Sequence, residues 1–112
     1  MATEDVVRRR LLGLLGLGIR GRLVVVGVQQ VRDAVMRGKV KLAFVAPDAS
    51  KNSRAKVIPL LTARKIRFVE SLTAAELGGV GGREQTAAVG IVDGQLAKGM
   101  REVLESASTG AQ

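Results

Sequence analysis

A chain of 112 residues, 46% hydrophobic and 25% charged, is long enough to bury one core and too apolar to remain disordered. It holds no cysteine and no histidine, which excludes a disulfide framework, a thiolate or imidazole metal site, a thiol nucleophile and the commonest general base. A formal charge of +8, from 18 Lys and Arg against 10 Asp and Glu, attracts polyanions, with nucleic acid the first candidate and an anionic membrane the second.

In chain order, Thr3 can cap a helix running to about Gly16, with Val7, Leu11, Leu14 and Leu15 at helical spacing. Its "RRRLLGLLGLGI" has the basic-then-apolar order of a signal peptide. No small-residue cleavage site follows, and the apolar run is too short for a bilayer, so a cytoplasmic protein is expected. Gly16, Gly18 and Gly21 then predict a loop, and "RLVVV" a strand buried on both faces. From Val28 the period becomes helical, with Val28, Val31, Ala34 and Val35 on one face and Gly38 as the stop.

"VKLAFVA" (40–46) predicts a second buried strand and "PDASKNS" a turn-rich loop. Proline inside a helix costs roughly 3 kcal/mol but little at its first position, so the next helix is placed from Pro59 to about Lys65. "IRFVE" (66–70) alternates as a strand does. Thr73 with Glu76 makes a capping box, Leu72 with Leu77 a hydrophobic staple, and Gly78 and Gly79 end that helix. "GGVGGREQT" reads as flexible loop and "AAVGIV" (87–92) as the last strand. Asp93 caps a final helix with Leu96, Met100, Val103 and Leu104 inward. The expected architecture is a three-layer α/β/α sandwich, with about four strands in a mixed or parallel sheet and helices on both faces. One domain covers residues 1–105, and a disordered tail covers 106–112.

Chemistry is sparse. "GLGIRG" (16–21) has dinucleotide-fingerprint spacing, but a helix precedes it and a strand follows, the reverse of what pyrophosphate binding needs. "GGVGGRE" lacks the Lys-Ser/Thr pair of a phosphate loop. Asp48, after a strand, is the best catalytic candidate, yet a turn-forming role explains it better. The two aromatics, Phe44 and Phe68, lie in apolar runs and offer no stacking platform for bases. Recognition of nucleic acid must therefore use charge, amides and backbone.

The stretch "GVQQVRDAVMRG" (27–38) supplies all three. Where a strand hands over to a helix, free N–H groups and the positive end of the dipole favour a phosphate. A glutamine there adds a donor and an acceptor on one planar group, which can pair with a base edge. Gln29 and Gln30 therefore read as polar recognition, framed by Arg32, Arg37, Lys39 and Lys41, which would position phosphates.

The segment "GVQQVRDAVMRGKVKLAFVAPDAS", with "IPLL", "LTAAELG" and "AAVGIV" following in order, resembles the ribosomal L7Ae/L30e family of kink-turn RNA-binding proteins, and within it the small bacterial YlxQ-like members. The resemblance runs from about Leu11 to Met100. It implies an α/β/α sandwich whose RNA surface joins the start of the second helix to the loop before the last strand. It implies that Gly27 lets the backbone approach RNA, with Val28 beside it. Gln29 and Gln30 match positions where archaeal members carry the Asn and Glu that contact sheared G·A pairs, Gln30 being the nearer match. Glu84 to Ala88, including Thr86, Ala87 and Ala88, matches the loop that packs on bent RNA. By its charge, Arg83 is expected to add to the phosphate contacts from that loop. Asp33 stands where archaeal members have lysine. The resulting expectation is a non-catalytic, cofactor-free RNA-binding protein, ribosomal or ribosome-associated, with no membrane partner. Two rivals are a protein-interaction module for an acidic partner and a small enzyme acting on a phosphorylated substrate.

Overall fold

The computed structural model describes residues 2–110, with side chains described over 4–106. In chain order the elements are α1 (Ala2–Arg20), β1 (Val24–Val26), α2 (Val28–Met36), β2 (Leu42–Val45), α3 (Lys51–Ala63), β3 (Phe68–Val69), α4 (Ala74–Val80), β4 (Ala88–Ile91) and α5 (Gly94–Gly110). The sheet has the order β1-β4-β2-β3; β4 is antiparallel to both neighbours and β2 is parallel to β3. It is thus mixed.

Alternation along the two central strands divides the core in two. Leu42, Phe44, Val89 and Ile91 face Leu11 and Leu15 of α1, Leu77 of α4, and Ala97, Met100 and Val103 of α5. Ala43, Val45 and Ala88 face Val31, Ala34 and Val35 of α2 and Val57 and Leu61 of α3. Every residue of β2 and β4 is buried, and each large side chain among them contributes about 1.5–3 kcal/mol by leaving water. The α/β/α sandwich follows directly from that two-sided burial. Among the described residues, no helix is long and apolar enough to cross a membrane.

Several local expectations are corrected. α1 continues through Gly16 and Gly18 to Arg20 instead of loosening into a loop. A Cβ on Gly18 would lie 2.4 Å from Leu96 Cδ2 and 2.7 Å from Val24 Cγ2, so the missing side chain admits both neighbours and packing outweighs glycine's helix penalty of about 1 kcal/mol. β1 is an edge strand with Val25 and Val26 only half-buried, not a strand covered on both faces. α3 begins at Lys51, inside the expected loop, because the Ser50 hydroxyl accepts the Ser53 amide at 3.1 Å. Pro59 lies inside this helix rather than starting it. Pro59 and Ala55 are both exposed, so the carbonyl left without a donor faces solvent.

Caps were better marked. The Thr73–Glu76 capping box is formed with both bonds present, and Leu72 and Leu77 are buried in one cluster. Asp93 Oδ2 accepts the Leu96 amide at 2.9 Å. α4 runs to Val80 and takes up the first three residues of the expected "GGVGGREQT" loop. The expected cap at Thr3 lies outside the described side chains. α5 is helical to Gly110, past the Ser106 boundary; side chains from 107 and residues 111–112 lie outside the description.

Candidate nucleic-acid interface

One edge of the sheet gathers the end of β1, the end of β2 and the start of β4, because Val26 pairs with Val89 and Val45 with Ala88. On this upper edge stand the N-terminus of α2, the loop 81–87 and the N-terminus of α3.

Gly27 is the pivot. Its φ of 109° and ψ of 152° belong to a region essentially confined to glycine. Its amide donates to the Ala88 carbonyl at 2.9 Å, which ties the helix start to β4, and its carbonyl accepts from Val31 at 2.9 Å. No side chain caps α2, so the first-turn amides are left for a ligand or solvent. The approach over Gly27 is narrow: an added Cβ would lie 2.5 Å from Gln30 Oε1 and 3.2 Å from Arg83 Nη1. The Gln30 carboxamide and the Arg83 guanidinium therefore both lie over this glycine, a planar donor–acceptor amide beside a cation. Gln30 and Arg83 are both exposed.

The other expected residues divide. Gln29 is exposed and donates through Nε2 to Asp33 Oδ1 at 2.9 Å, one helical turn on, so the carboxylate that would oppose phosphate is partly engaged. Val28 packs against the α2–α3 side of the core. Arg32 is half-buried and donates to the Lys56 carbonyl, which links α2 to α3. Arg37, Lys39 and Lys41 are exposed, and Arg37 and Lys39 line a groove of about 350 Å³ along α2 together with Gln30 and Asp33. Lys41 alone stands away from the glutamines, since it donates its amide to Ile91, at the opposite end of β4 from Ala88. Ala88 is fully buried and contributes its carbonyl alone; Thr86 is 8% exposed and Ala87 half-buried.

The loop that carries Arg83 also walls a cleft of about 290 Å³, lined by Asp48, Ser50, Ser53, Gln85 and Thr86 among others. Gln85 lies in the expected Glu84–Ala88 segment, whereas sequence reasoning missed Ser50 and Ser53 because only the topology brings them to it. Asp48 is structural: Oδ1 accepts the Ala74 amide at 2.9 Å and so fixes the start of α4. From below, Arg8 of α1 holds the same helix through Nη1 to Glu76 Oε1 at 2.6 Å. Burial pushes the Glu76 carboxyl up, but Arg8 and the amide and hydroxyl of Thr73 outweigh it and hold the group below its usual range. Gly78 of α4 lets the loop lie against it, since a Cβ there would come within 2.3 Å of Gln85 Cα.

A three-layer sandwich whose second helix starts uncapped, beside a loop that carries Arg83 and Glu84, defines a small basic α/β domain. Residues 13–100 match the ribosomal protein L7Ae/L30e/S12e/Gadd45 family, and the chain belongs to that family. The RNA-binding protein YlxQ of Enterococcus faecium is 30% identical over 98 residues, covering 88% of this chain and 94% of that protein. Among solved structures, a protein of unknown function from Bacillus halodurans superposes with a TM-score of 0.76 at 25% identity, covering 85% of this chain and 96% of its own. The 15.5kD RNA binding protein of Giardia lamblia gives 0.75 at 19% identity, covering 92% and 88%, a likeness of fold.

Proposed function

We propose that this protein binds structured RNA without catalysing a reaction on it, as a ribosomal or ribosome-associated factor of the cytoplasm, and prefers a kink-turn-like bend. The observation that carries the reading is the meeting of Gln30 and Arg83 over Gly27, at a helix N-terminus that no side chain caps. Phosphate would be held by the first-turn amides and Arg83, and an exposed base edge by the flat amide of Gln30. A bent RNA suits such a tip because its bases are unstacked and turned outward, whereas a regular A-form helix hides them in a deep groove. The adjoining cleft has room and polar walls for a nucleotide turned out of the stack. YlxQ, which carries RNA-binding in its name, supports the same class of ligand.

The test is a gel shift against a kink-turn RNA and a plain duplex of equal length. Wild-type protein should prefer the bent RNA, and both affinities should fall steeply with salt. Gln30→Ala should reduce the preference by about 1–3 kcal/mol, the worth of a bidentate base contact, while leaving duplex affinity nearly unchanged. Equal affinity for the two RNAs, untouched by the substitution, would refute this reading.

A further inference from the structure

We propose a second RNA-binding surface, on the lower edge of the sheet, which lets this protein hold a duplex segment while the upper edge holds a bent one. Arg22 leads into β1, Lys39 and Lys41 into β2, and Lys65 and Arg67 into β3, while Arg37 closes α2; all six are exposed. The sheet order puts Arg22 and Arg67 on the two outer strands, so the row spans about 15 Å at strand spacing, and charges so close reinforce one another.

Carboxylates on this side are few and engaged. Asp93, at the end of β4, accepts the Leu96 amide, and Asp33 accepts from Gln29. Helix dipoles explain Arg20 and Arg64, at the ends of α1 and α3. They do not explain Lys41 and Arg67, which stand before strands. Arg22 and Lys65 have φ of 62° and 58°, the left-handed region where glycine is the easy choice, yet each of these positions carries a cation.

Arg22, Lys41, Lys65 and Arg67 stand apart from the upper tip: Gly27 and Lys41 are bonded to Ala88 and Ile91, the two ends of β4, about 10 Å apart, whereas Arg37 and Lys39 share a groove along α2 with Gln30. With a screening length of about 8 Å at physiological salt, those four cations contribute little to binding at the upper tip. The lower edge has no amide pair like Gln29 and Gln30. Charge without base readout fits the ribose-phosphate surface of an A-form duplex, which is recognised by shape and phosphate.

Only the choice of RNA as polymer rests on the reading of the upper edge, and the experiment separates the two. Variant R22E/K41E/R67E changes exposed residues with no side-chain hydrogen bond and outside the groove shared with Gln30, and a charge-matched control, R9E/K98E/R101E, changes other faces. Each protein is titrated with plain RNA duplex alone, then, saturated with kink-turn RNA, is asked to capture labelled duplex at low salt. The lower-edge variant should lose about tenfold or more in duplex binding and capture, with a shallower salt slope, yet keep its kink-turn preference. The control should keep duplex capture near the wild-type level. Duplex bound equally by wild type and the lower-edge variant, equal loss in the control, or the lower edge binding phosphatidylserine vesicles in place of duplex would each overturn the proposal. Failure of kink-turn preference alone would overturn the upper-edge reading and leave the duplex titration decisive for the lower one.

Discussion

Gly78 and Gly79 are adjacent residues of one helix with opposite surroundings, and replacing each by alanine isolates what the loop contact is worth. In α4, alanine in place of glycine should gain about 0.5–1 kcal/mol from helix propensity alone. At Gly79 nothing lies within 4 Å of the added Cβ, so Gly79→Ala should realise that gain. At Gly78 the Cβ would fall 2.3 Å from Gln85 Cα, 2.6 Å from its amide nitrogen and 2.7 Å from its carbonyl carbon. These are backbone atoms, so the loop must retreat by about 1 Å, and overpacking of this kind costs about 1–3 kcal/mol. The propensity gain is common to both, so Gly78→Ala should be less stable than Gly79→Ala by about 1–3 kcal/mol, or about 4–12 °C in Tm for a domain of this size. Circular dichroism at the helix band is the suitable probe, since the chain has no Trp or Tyr. Because the same loop carries Arg83 to Gly27, Gly78→Ala should also weaken the preference for bent RNA. Equal melting temperatures for the two variants would show that the loop does not rest on Gly78, and the reasoning would fail.

Gly27→Ala should cost about 1–3 kcal/mol through its backbone conformation, and should displace Gln30 and Arg83 enough to erase discrimination between bent RNA and duplex; thermal melts and gel shifts on one preparation read both effects. Glu76 is held below its usual range, so its pairing stabilises the fold above the unfolded value near 4.5 and is lost as pH falls through the lower folded value. Glu76→Gln keeps an oxygen for the Thr73 amide, and should cost up to about 1 kcal/mol at pH 7, since Arg8 is partly exposed; that deficit should vanish in urea melts well below the folded value.

The sequence was most legible where one physical demand acts alone. The aliphatic runs around Phe44 and Val89 could only be buried strands, and Thr73, Glu76 and Asp93 could only be caps of this type. Legibility failed where a tertiary contact reverses a local preference. Gly18 looks like a helix breaker until Leu96 and Val24 are seen to occupy the space it leaves. Pro59 looks like a helix start until the exposure of Ala55 lets water satisfy the orphaned carbonyl. At the candidate interface, the strand-to-helix junction at Gly27 was legible because strand, glycine and amides are contiguous. Arg37 and Lys39 do share a groove with Gln30, whereas Lys41, grouped with them because it follows closely in the chain, is carried to the other edge by the turn between α2 and β2. Ser50, Ser53 and Gln85 come from segments that only the strand order brings together.

The position of β4 between β1 and β2 also dictates timing. β1 pairs with no other strand, and the bond that seats Gly27 is made to Ala88, more than half the chain away. During synthesis Gly27 is made 61 residues ahead of Ala88, so the bond that seats it waits until β4 enters between β1 and β2. The geometry of this tip is thus completed late relative to its own emergence, a delay imposed by connectivity alone.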